Sequence, residues 1–211
     1  MKKMMLFVIM LSIGVVLFAG MGTNITVGFV NSSVAGDDVT DEFSSRFGFN
    51  ICASWIDYNT DKKFILEPGI RFAQRGYEFD ADAFSDFFGY SETLKSNHLD
   101  LFVRAKYNID KNIGGGTSIY LYPYLVGALS YTLGGTVETS DFGWSESSAS
   151  VDEILNPMGF AALIGIDILF NDKFTLGIEY NLGLTNILKD EYDVKASYNT
   201  LVVNVGYAFT F

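Results

Sequence analysis

Cysteine is almost absent from this sequence: Cys52 is the only one in 211 residues, so an intramolecular disulfide is excluded. Beyond residue 22, no apolar run is long enough to form a transmembrane helix. Basic residues are also scarce, because 14 lysines and arginines face 25 acidic residues and leave a net charge of −11. This charge argues against nucleic-acid binding. A disordered acidic chain is excluded as well, since 49% hydrophobic residues and 16% aromatics can bury a large apolar surface.

The first 22 residues have the composition of a secretory signal peptide. Two lysines precede an apolar run over residues 4–18, and small residues follow at Ala19, Gly20 and Gly22. We therefore predict export with cleavage between residues 19 and 22, followed by one domain over residues 23–211. An uncleaved anchoring helix is the alternative.

Period-two alternation of apolar and polar residues dominates the rest of the chain and predicts strands, whereas helical spacing is nearly absent. The eight predicted strands cover residues 24–31, 45–57, 63–76, 97–109, 117–131, 157–170, 173–185 and 197–211. Most of them are long enough to cross a bilayer at a tilt, which takes ~9–11 residues.

The connections between these strands alternate in length. Long ones at residues 32–44, 77–96, 132–156 and 186–196 alternate with short ones at residues 58–62, 110–116 and 171–172. Since every second connection of an up-and-down meander lies at the same end, four long loops share one end and three short turns the other. An even strand count lets the sheet close without an edge. The pattern therefore predicts an all-β fold, an eight-stranded antiparallel up-and-down transmembrane β-barrel.

The alternation by itself leaves open which face of the strands is inside. A lipocalin-like soluble barrel would turn its apolar face inward around a ligand. We expect the opposite, because the polar face mixes glycine and alanine with arginine and glutamate, which suits the crowded lumen of eight strands. Six aromatic residues on the apolar face, at the short-turn end, are then predicted to form a girdle at one membrane interface. They are Trp55, Phe64, Tyr107, Phe170, Phe174 and Phe211.

Six stretches cover nearly everything after the leader: FSSRFGFN, FILEPGIRFAQRGYEF, TLKSNHLDLFVRAKY, LYPYLVGAL, FTLGIEYNLGLTNI and the terminal VGYAFTF. In them the chain resembles the small outer-membrane β-barrel proteins that are often labelled porin family and are common in Bacteroidetes. The resemblance implies a place in the outer membrane of a Gram-negative bacterium and a terminal aromatic strand that the outer-membrane assembly machinery reads. It implies no particular activity, because the family is defined by its barrel.

Nine charged residues are predicted to point into the lumen, and because both signs are present, mutual pairing can satisfy them. They are Arg46, Glu67, Arg71, Arg75, Asp100, Arg104, Lys106, Asp167 and Glu179. A proton or solute path is one interpretation, and it corresponds to a small-solute or lipid-related transport barrel. We favour a lumen plugged by these side chains, because eight strands leave room for little else.

His98 is the only histidine, and with Asp100 two residues on and Ser96 nearby it has the residue types of a hydrolase acid–base site. A lipid-modifying outer-membrane enzyme that uses His98 is therefore a further alternative. No GxSxG-like elbow accompanies these residues, so we expect a non-enzymatic protein without a cofactor.

The predicted long loops hold most of the negative charge, since 17 of the 25 acidic residues lie in them against three lysines, which gives 3 − 17 = −14 at this end. The segment GDDVTDE lacks the spacing of a known calcium loop, so a solvated acidic surface is expected instead. In the third loop, Phe142 and Trp144 are candidate aromatic anchors for a binding partner.

The predicted role is therefore structural or interaction-related at the cell surface and is carried by the acidic extracellular loops. The predicted partners are outer-membrane lipid, the outer-membrane assembly machinery and an extracellular partner, and a monomer is expected.

Overall fold

The computed structural model describes residues 22–36, 43–56, 62–80, 90–113, 117–141, 145–189 and 195–209. Residues 1–21 of the predicted leader and Phe211 lie outside these residues, as do Phe142 and Trp144. Within the described part of the chain, no helix is both long enough and apolar enough to cross a membrane.

Ten strands and one short helix make up the described chain. The strands are β1 (Gly22–Ala35), β2 (Phe43–Ile56), β3 (Phe64–Asp80), β4 (Tyr90–Tyr107), β5 (Ile109–Ile113), β6 (Thr117–Asp141), β7 (Ser145–Ser150), β8 (Met158–Phe170), β9 (Phe174–Gly183) and β10 (Ser197–Phe209). A 3-10 helix at Val151–Glu153 follows β7. Eight of the strands correspond one to one to the eight predicted from the sequence, and β5 and β7 are short additions.

The eight long strands form a closed antiparallel barrel. Strands that follow one another in the chain pair, and the first strand, β1, pairs with the last, β10. The order is β4-β3-β2-β1-β10-β9-β8-β6, and pairing of β4 with β6 completes the circle. The two short strands do not add to the eight strands of the barrel wall. β5 pairs with β6 beyond the end of β4, and β7 pairs with the opposite end of β6. The predicted eight-stranded antiparallel β-barrel is confirmed.

The turn between β8 and β9 shows how local sequence sets the topology. Asn171 and Asp172 have φ values of 49° and 57°, the left-handed conformation that asparagine and aspartate tolerate and that tight hairpins require. Lys173 N donates a hydrogen bond of 3.0 Å to Phe170 O and closes the turn. The two residues predicted to form this connection therefore reverse the chain direction.

The strands at the opposite end reach further than the sequence predicted. β3 continues to Asp80, β4 begins at Tyr90 and β6 runs to Asp141, so much of the predicted connections 77–96 and 132–156 is strand. These segments are rich in polar residues, but the polar residues alternate with buried apolar ones, as in the pairs Leu94–Lys95 and Val137–Glu138. This alternation is the pattern of a strand.

The apolar face of the barrel points outward and the polar face inward. β9 shows the pattern over its whole length: Phe174, Leu176 and Ile178 are exposed, whereas Thr175 and Glu179 are buried. The soluble lipocalin-like alternative requires the reverse arrangement and is excluded for the described strands.

Most of the described members of the predicted aromatic girdle lie at the outer surface of the turn end. Phe64, Tyr107 and Phe174 are exposed, and Phe64 packs edge-on against Tyr107 with 5.0 Å between ring centroids. Phe174 makes the same kind of contact with Tyr207 at 5.3 Å, and Phe170 is half-buried. Exposed rings at this height suit the interface between headgroups and acyl chains.

Trp55 departs from the predicted girdle. It lies on the outward-facing side of β2, yet its side chain is only 5% exposed, because it packs in a cluster with Ile70 and Leu99. A large aromatic side chain can reach diagonal neighbours on adjacent strands of a sheet. Trp55 is buried against such neighbours and is therefore not part of the exposed aromatic girdle.

Gly69 provides the space for an aromatic ring inside the barrel. It pairs with Phe102, and a Cβ at position 69 would lie 2.2 Å from Phe102 Cζ. We predict that Gly69→Val lowers the free energy of unfolding by about 1–3 kcal/mol, the usual cost of overpacking a filled interior. Urea unfolding of the refolded barrel in detergent measures this value. The matched control is Gly127→Val, whose added Cβ meets nothing within 4 Å. Equal midpoints for the two variants would show that the Phe102 ring does not depend on Gly69.

Candidate functional site

The charged side chains of the lumen are placed by the period of the strands and by their register. On β3, Glu67 and Arg71 share the inward face because residues four apart lie on the same side of a strand. In the pairing of β3 with β4, Glu67 lies opposite Arg104 and Arg71 lies opposite Asp100. Opposite charges directly across a strand pair attract each other, so the register itself brings ion pairs together.

Eight of the nine predicted lumen charges form one continuous series of ion pairs in which the sign alternates at every step. We call this series the charge ladder. From the turn end to the loop end it consists of Asp167, Lys106, Glu67, Arg104, Glu179, Arg71, Asp100 and Arg75.

At the turn end, the ladder is built around Lys106. Its Nζ lies 2.7 Å from Asp167 Oδ2 and 2.5 Å from Glu67 Oε2. The other oxygen of Glu67 accepts a hydrogen bond of 2.8 Å from Arg104 Nη1. Each inner member of this segment therefore contacts two residues of opposite charge.

Towards the loop end, the same rule continues through two arginines. Arg104 Nη2 lies 3.4 Å from Glu179 Oε2, and Glu179 Oε1 is paired with Arg71 Nη1. Arg71 Nε donates to Asp100 Oδ2 at 2.9 Å, and Arg75 Nη2 reaches the same oxygen at 2.5 Å. Arg75 ends the ladder and also donates from Nη1 to a neutral hydroxyl on β6 at 3.0 Å.

The ladder is buried and electrically balanced. Its four cations and four anions give 4 − 4 = 0, and none of the eight residues is more than 5% exposed. Removing a charge from water costs several kcal/mol unless opposite charges and hydrogen bonds compensate it. The alternation supplies that compensation at every position, which explains how so many charges occupy one narrow interior.

Aromatic rings complete the surroundings of the ladder. The Arg104 guanidinium lies 4.6 Å from the centroid of Phe102 and 5.2 Å from that of Tyr124, and Lys106 Nζ lies 5.6 Å from Tyr124. Cations are attracted to the faces of such rings. These rings were not among the predicted lumen residues. The tyrosines at positions 120, 122 and 124 are two residues apart, a spacing that puts them on one face of β6 and could have indicated them.

Arg46, the ninth predicted member, is not joined to the ladder within the described part of the chain. It lies on β2 towards the loop end and is half-buried, beside the shift in register between Ser45 and Asn50. Its Nη1 is buried, as expected for a side chain that points inward.

Buried apolar layers lie on both sides of the ladder. Along β3 the inward residues follow in the order Ile65, Glu67, Arg71, Arg75 and Tyr77, so the charges lie between two apolar positions. The turn-end layer consists of Ile56, Ile65, Tyr122, Leu169 and Ala208. The loop-end cap consists of Val34, Tyr77, Leu94, Val137, Val151, Leu155, Ala196 and Tyr198.

His98 lies near the loop end of the ladder but does not form a triad with Asp100. Its Nε2 is 2.8 Å from Ser96 Oγ, which also lies 3.0 Å from the hydroxyl of Tyr198. The carboxylate of Asp100 is instead held by the ladder arginines Arg71 and Arg75. The structure therefore brings Ser96 and His98 together but commits the third predicted residue to ion pairs.

Metal ligation finds no support in the described part of the chain, where no group of three or more His, Cys, Asp or Glu side chains could hold an ion. The segment GDDVTDE, considered as a calcium loop in the sequence analysis, falls largely on residues 37–42 and lies outside the described residues.

Comparison with known proteins places the chain in a family. Residues 17–189 match the family model described as outer membrane protein beta-barrel domain. No curated protein matches the chain by sequence.

Several solved structures resemble the barrel at low sequence identity. Ail, the attachment invasion locus protein of Yersinia pestis, is 18% identical with a TM-score of 0.48, over 90% of this chain and 99% of Ail. Neisserial surface protein A is 15% identical with a TM-score of 0.42, over 90% of this chain and 97% of that protein. OprG of Pseudomonas aeruginosa is 14% identical with a TM-score of 0.38, over 91% and 97% of the two chains.

Arg71 is the ladder member whose loss is expected to be most harmful, because it joins Glu179 to Asp100 and is 1% exposed. We predict that Arg71→Leu lowers the free energy of unfolding in detergent by about 3–5 kcal/mol, the range for breaking a buried ion pair. Lys95→Leu is the matched control, since Lys95 forms a solvent-exposed pair with Glu138 at 2.7 Å. It should cost less than ~1 kcal/mol. Similar losses in the two variants would contradict the importance of burial.

Proposed function

The chain belongs to the outer membrane protein beta-barrel domain family, and we propose that in the outer membrane it serves as a closed scaffold that presents an interaction surface at its loop end. In this proposal, nothing needs to pass through the barrel. The protein would act through what its loop end contacts outside the cell.

The observation that carries the proposal is the filling of the lumen. The charge ladder occupies the middle of the barrel, and the turn-end layer and loop-end cap lie on either side of it. A solute on the barrel axis would have to separate buried ion pairs and displace packed apolar side chains. The separated charges would lose their partners in a region without bulk water, which is costly. This arrangement favours the plugged barrel over the solute-transport alternative.

The loop end is a firm platform for an interaction surface. Residues 136–141 of β6 pair with β4 on one side and with β7 on the other. This part of the predicted connection 132–156 is therefore a three-stranded extension of the barrel wall. The following 3-10 helix buries Val151 in the loop-end cap. Binding residues concentrate on segments that a rigid scaffold holds in place.

The described residues at the loop end include exposed carboxylates. Glu78, Glu138, Asp152 and Glu153 are exposed. Lys189 Nζ donates hydrogen bonds to the backbone oxygens of Asp152 and Glu153 at 3.0 and 2.7 Å. A partner with a positively charged surface would complement this end, and long-range attraction would speed its association.

The enzymatic alternative is weakened by the surroundings of His98. Within the described chain its hydrogen-bonding neighbours are hydroxyl groups, with Ser96 the nearest, and no carboxylate orients the ring. Ser96 is also fully buried, so a substrate could not reach its hydroxyl in this conformation. These features favour a structural role for the pair.

A closed lumen predicts that the purified barrel conducts no ions. In planar lipid bilayers at high salt, we expect no discrete conductance steps, because the ladder and the two apolar layers leave no continuous aqueous path. A large water-filled porin added to the same bilayer serves as the control for sensitivity. Reproducible unitary steps from the barrel alone would refute the plugged-lumen proposal.

The exposed carboxylates at the loop end predict salt-sensitive binding of cationic molecules. We expect barrels in neutral phosphatidylcholine vesicles to bind a fluorescent hexalysine peptide, and the triple change Glu138→Gln, Asp152→Asn and Glu153→Gln to weaken this binding severalfold at low salt. These side chains are exposed, so the fold should remain intact.

The matched control for the hexalysine experiment is Asp172→Asn, which removes an exposed carboxylate from the turn end of the barrel. Its binding should equal that of the unchanged protein. An equal loss for Asp172→Asn and for the loop-end triple variant would remove the reason to assign recognition to the loop end.

A further inference from the structure

The wall formed by β4, β6 and β7 rises beyond the apolar band of the barrel. On β4 the outward apolar residues end at Leu99, and on β6 they end at Leu133. A strand tilted by about 40° rises ~2.5 Å per residue along the barrel axis. Because β4 begins at Tyr90 and pairs with β6 as far as Asp141, this wall continues about 20 Å above the apolar band.

Hydroxyl and amide groups dominate the outward side of this wall. Leu94 and Val137 belong to the loop-end cap inside the barrel, so the residues next to them along β4 and β6 point outward. We call the described outward side chains of the wall the wall face. They are Ser91, Thr93, Lys95 and Asn97 of β4, Thr136, Glu138 and Ser140 of β6, and Ser148 and Ser150 of β7. The wall face continues directly from the lipid-facing apolar surface of the same strands, so it stands beside the head groups of the neighbouring lipids.

The charges of the wall face cancel one another. Lys95, its one cation, has its Nζ 2.7 Å from Oε2 of Glu138, its one anion. The other members are serine, threonine and asparagine, and Glu78 on the adjacent β3 adds an exposed negative charge. A lipid phosphate would therefore meet a surface without a free cation. Sugar hydroxyls, in contrast, can both donate to and accept from hydroxyl and amide side chains.

An exposed aromatic ring lies at the membrane edge of the wall face. Tyr131 on β6 is 40% exposed. The next outward residue, Leu133, packs against a cluster on the neighbouring strands, and two glycines follow it. The ring is therefore left uncovered by its own strand as far as Thr136, about 13 Å further along β6. Asn97 borders this gap from β4, because it pairs with the first of the two glycines.

We propose that the wall face binds the head group of a membrane glycolipid that carries two or more uncharged sugars. The acyl chains of this lipid lie against the apolar surface below Tyr131. Its first sugar lies in the gap above, because the C–H groups on one side of a sugar ring are attracted to the face of an aromatic ring. Asn97 and Thr136 hydrogen-bond the hydroxyls of this sugar, and the following sugars lie along the hydroxyl groups of β6 and β7.

The position of the site favours a lipid over a soluble saccharide. A soluble sugar exchanges hydrogen bonds to water for hydrogen bonds to the wall face, and the net gain of such an exchange is small. The acyl chains of a glycolipid already hold its sugars at the height of Tyr131, so that the second contact is intramolecular and has a high effective concentration. This proposal concerns the side of the barrel that lipid borders and does not depend on the exposed carboxylates at the loop end.

The head-group preference is measured on the full barrel by native mass spectrometry, which counts the lipids bound to each molecule. The barrel in detergent micelles is titrated with digalactosyldiacylglycerol, phosphatidylglycerol and phosphatidylcholine of identical acyl chains. We expect the first digalactosyl lipid to bind about tenfold more tightly than either phospholipid. Equal affinities for the three lipids, or tighter binding of phosphatidylglycerol, would overturn the proposal.

A matched pair of tyrosines tests the role of the ring. Tyr131→Leu keeps an apolar side chain at the site but removes the aromatic face, and it should weaken binding of the digalactosyl lipid about fivefold. Tyr180→Leu is the control, because Tyr180 is 42% exposed on β9 between Ile178 and Leu182, inside the apolar band. Its affinity should equal that of the unchanged protein. The same affinity in both variants would refute the placement of the sugar on Tyr131.

A matched pair of asparagines tests the head-group chemistry. Asn97→Lys adds an unmatched cation beside the gap, so at low salt the digalactosyl lipid should bind about fivefold more weakly and phosphatidylglycerol about fivefold more tightly. Asn199→Lys makes the same change on β10, where Asn199 is also half-buried and next to the apolar band. It should leave the affinity for the digalactosyl lipid unchanged. Equal losses for the two variants would show that the glycolipid does not bind at the wall face.

Discussion

A charge inside an eight-stranded barrel has no room for a hydration shell, and this constraint governs the interior of the protein. Eight charged side chains occupy the lumen and none is more than 5% exposed. Each of them must therefore find its compensation in other side chains. Strict alternation of sign is a simple solution, since every inner member then contacts two opposite charges and the whole series remains neutral.

The β-sheet supplies this alternation through its own geometry. Residues of one strand that are an even number apart share the lumen face, and the antiparallel register of β3 and β4 brings Arg71 opposite Asp100 and Glu67 opposite Arg104. Contributions from β8 and β9 then link these pairs across the barrel through Asp167 and Glu179. The interior therefore has a polar middle between two apolar layers.

Much of this organisation could be predicted from the sequence, because one periodicity determines both strands and facing. The alternation in FTLGIEYNLG identifies β9, its outward residues and Glu179 as an inward charge in a single step. The order of the ladder could not be predicted, because it depends on which strands face each other across the lumen. The exposure of Trp55 was misjudged, since packing against neighbouring side chains buries its ring without altering the sequence pattern.

The most direct test of the ladder is the unfolding free energy, in detergent, of the double variant Arg71→Glu with Glu179→Arg. This exchange preserves the pair and the net charge, so an isolated ion pair would recover wild-type stability. In a ladder it cannot, because the acidic group at position 71 then faces Asp100 and the basic group at position 179 faces Arg104. The account predicts a barrel destabilised by several kcal/mol relative to wild type, in the range for uncompensated buried charges. Recovery of wild-type stability would contradict it.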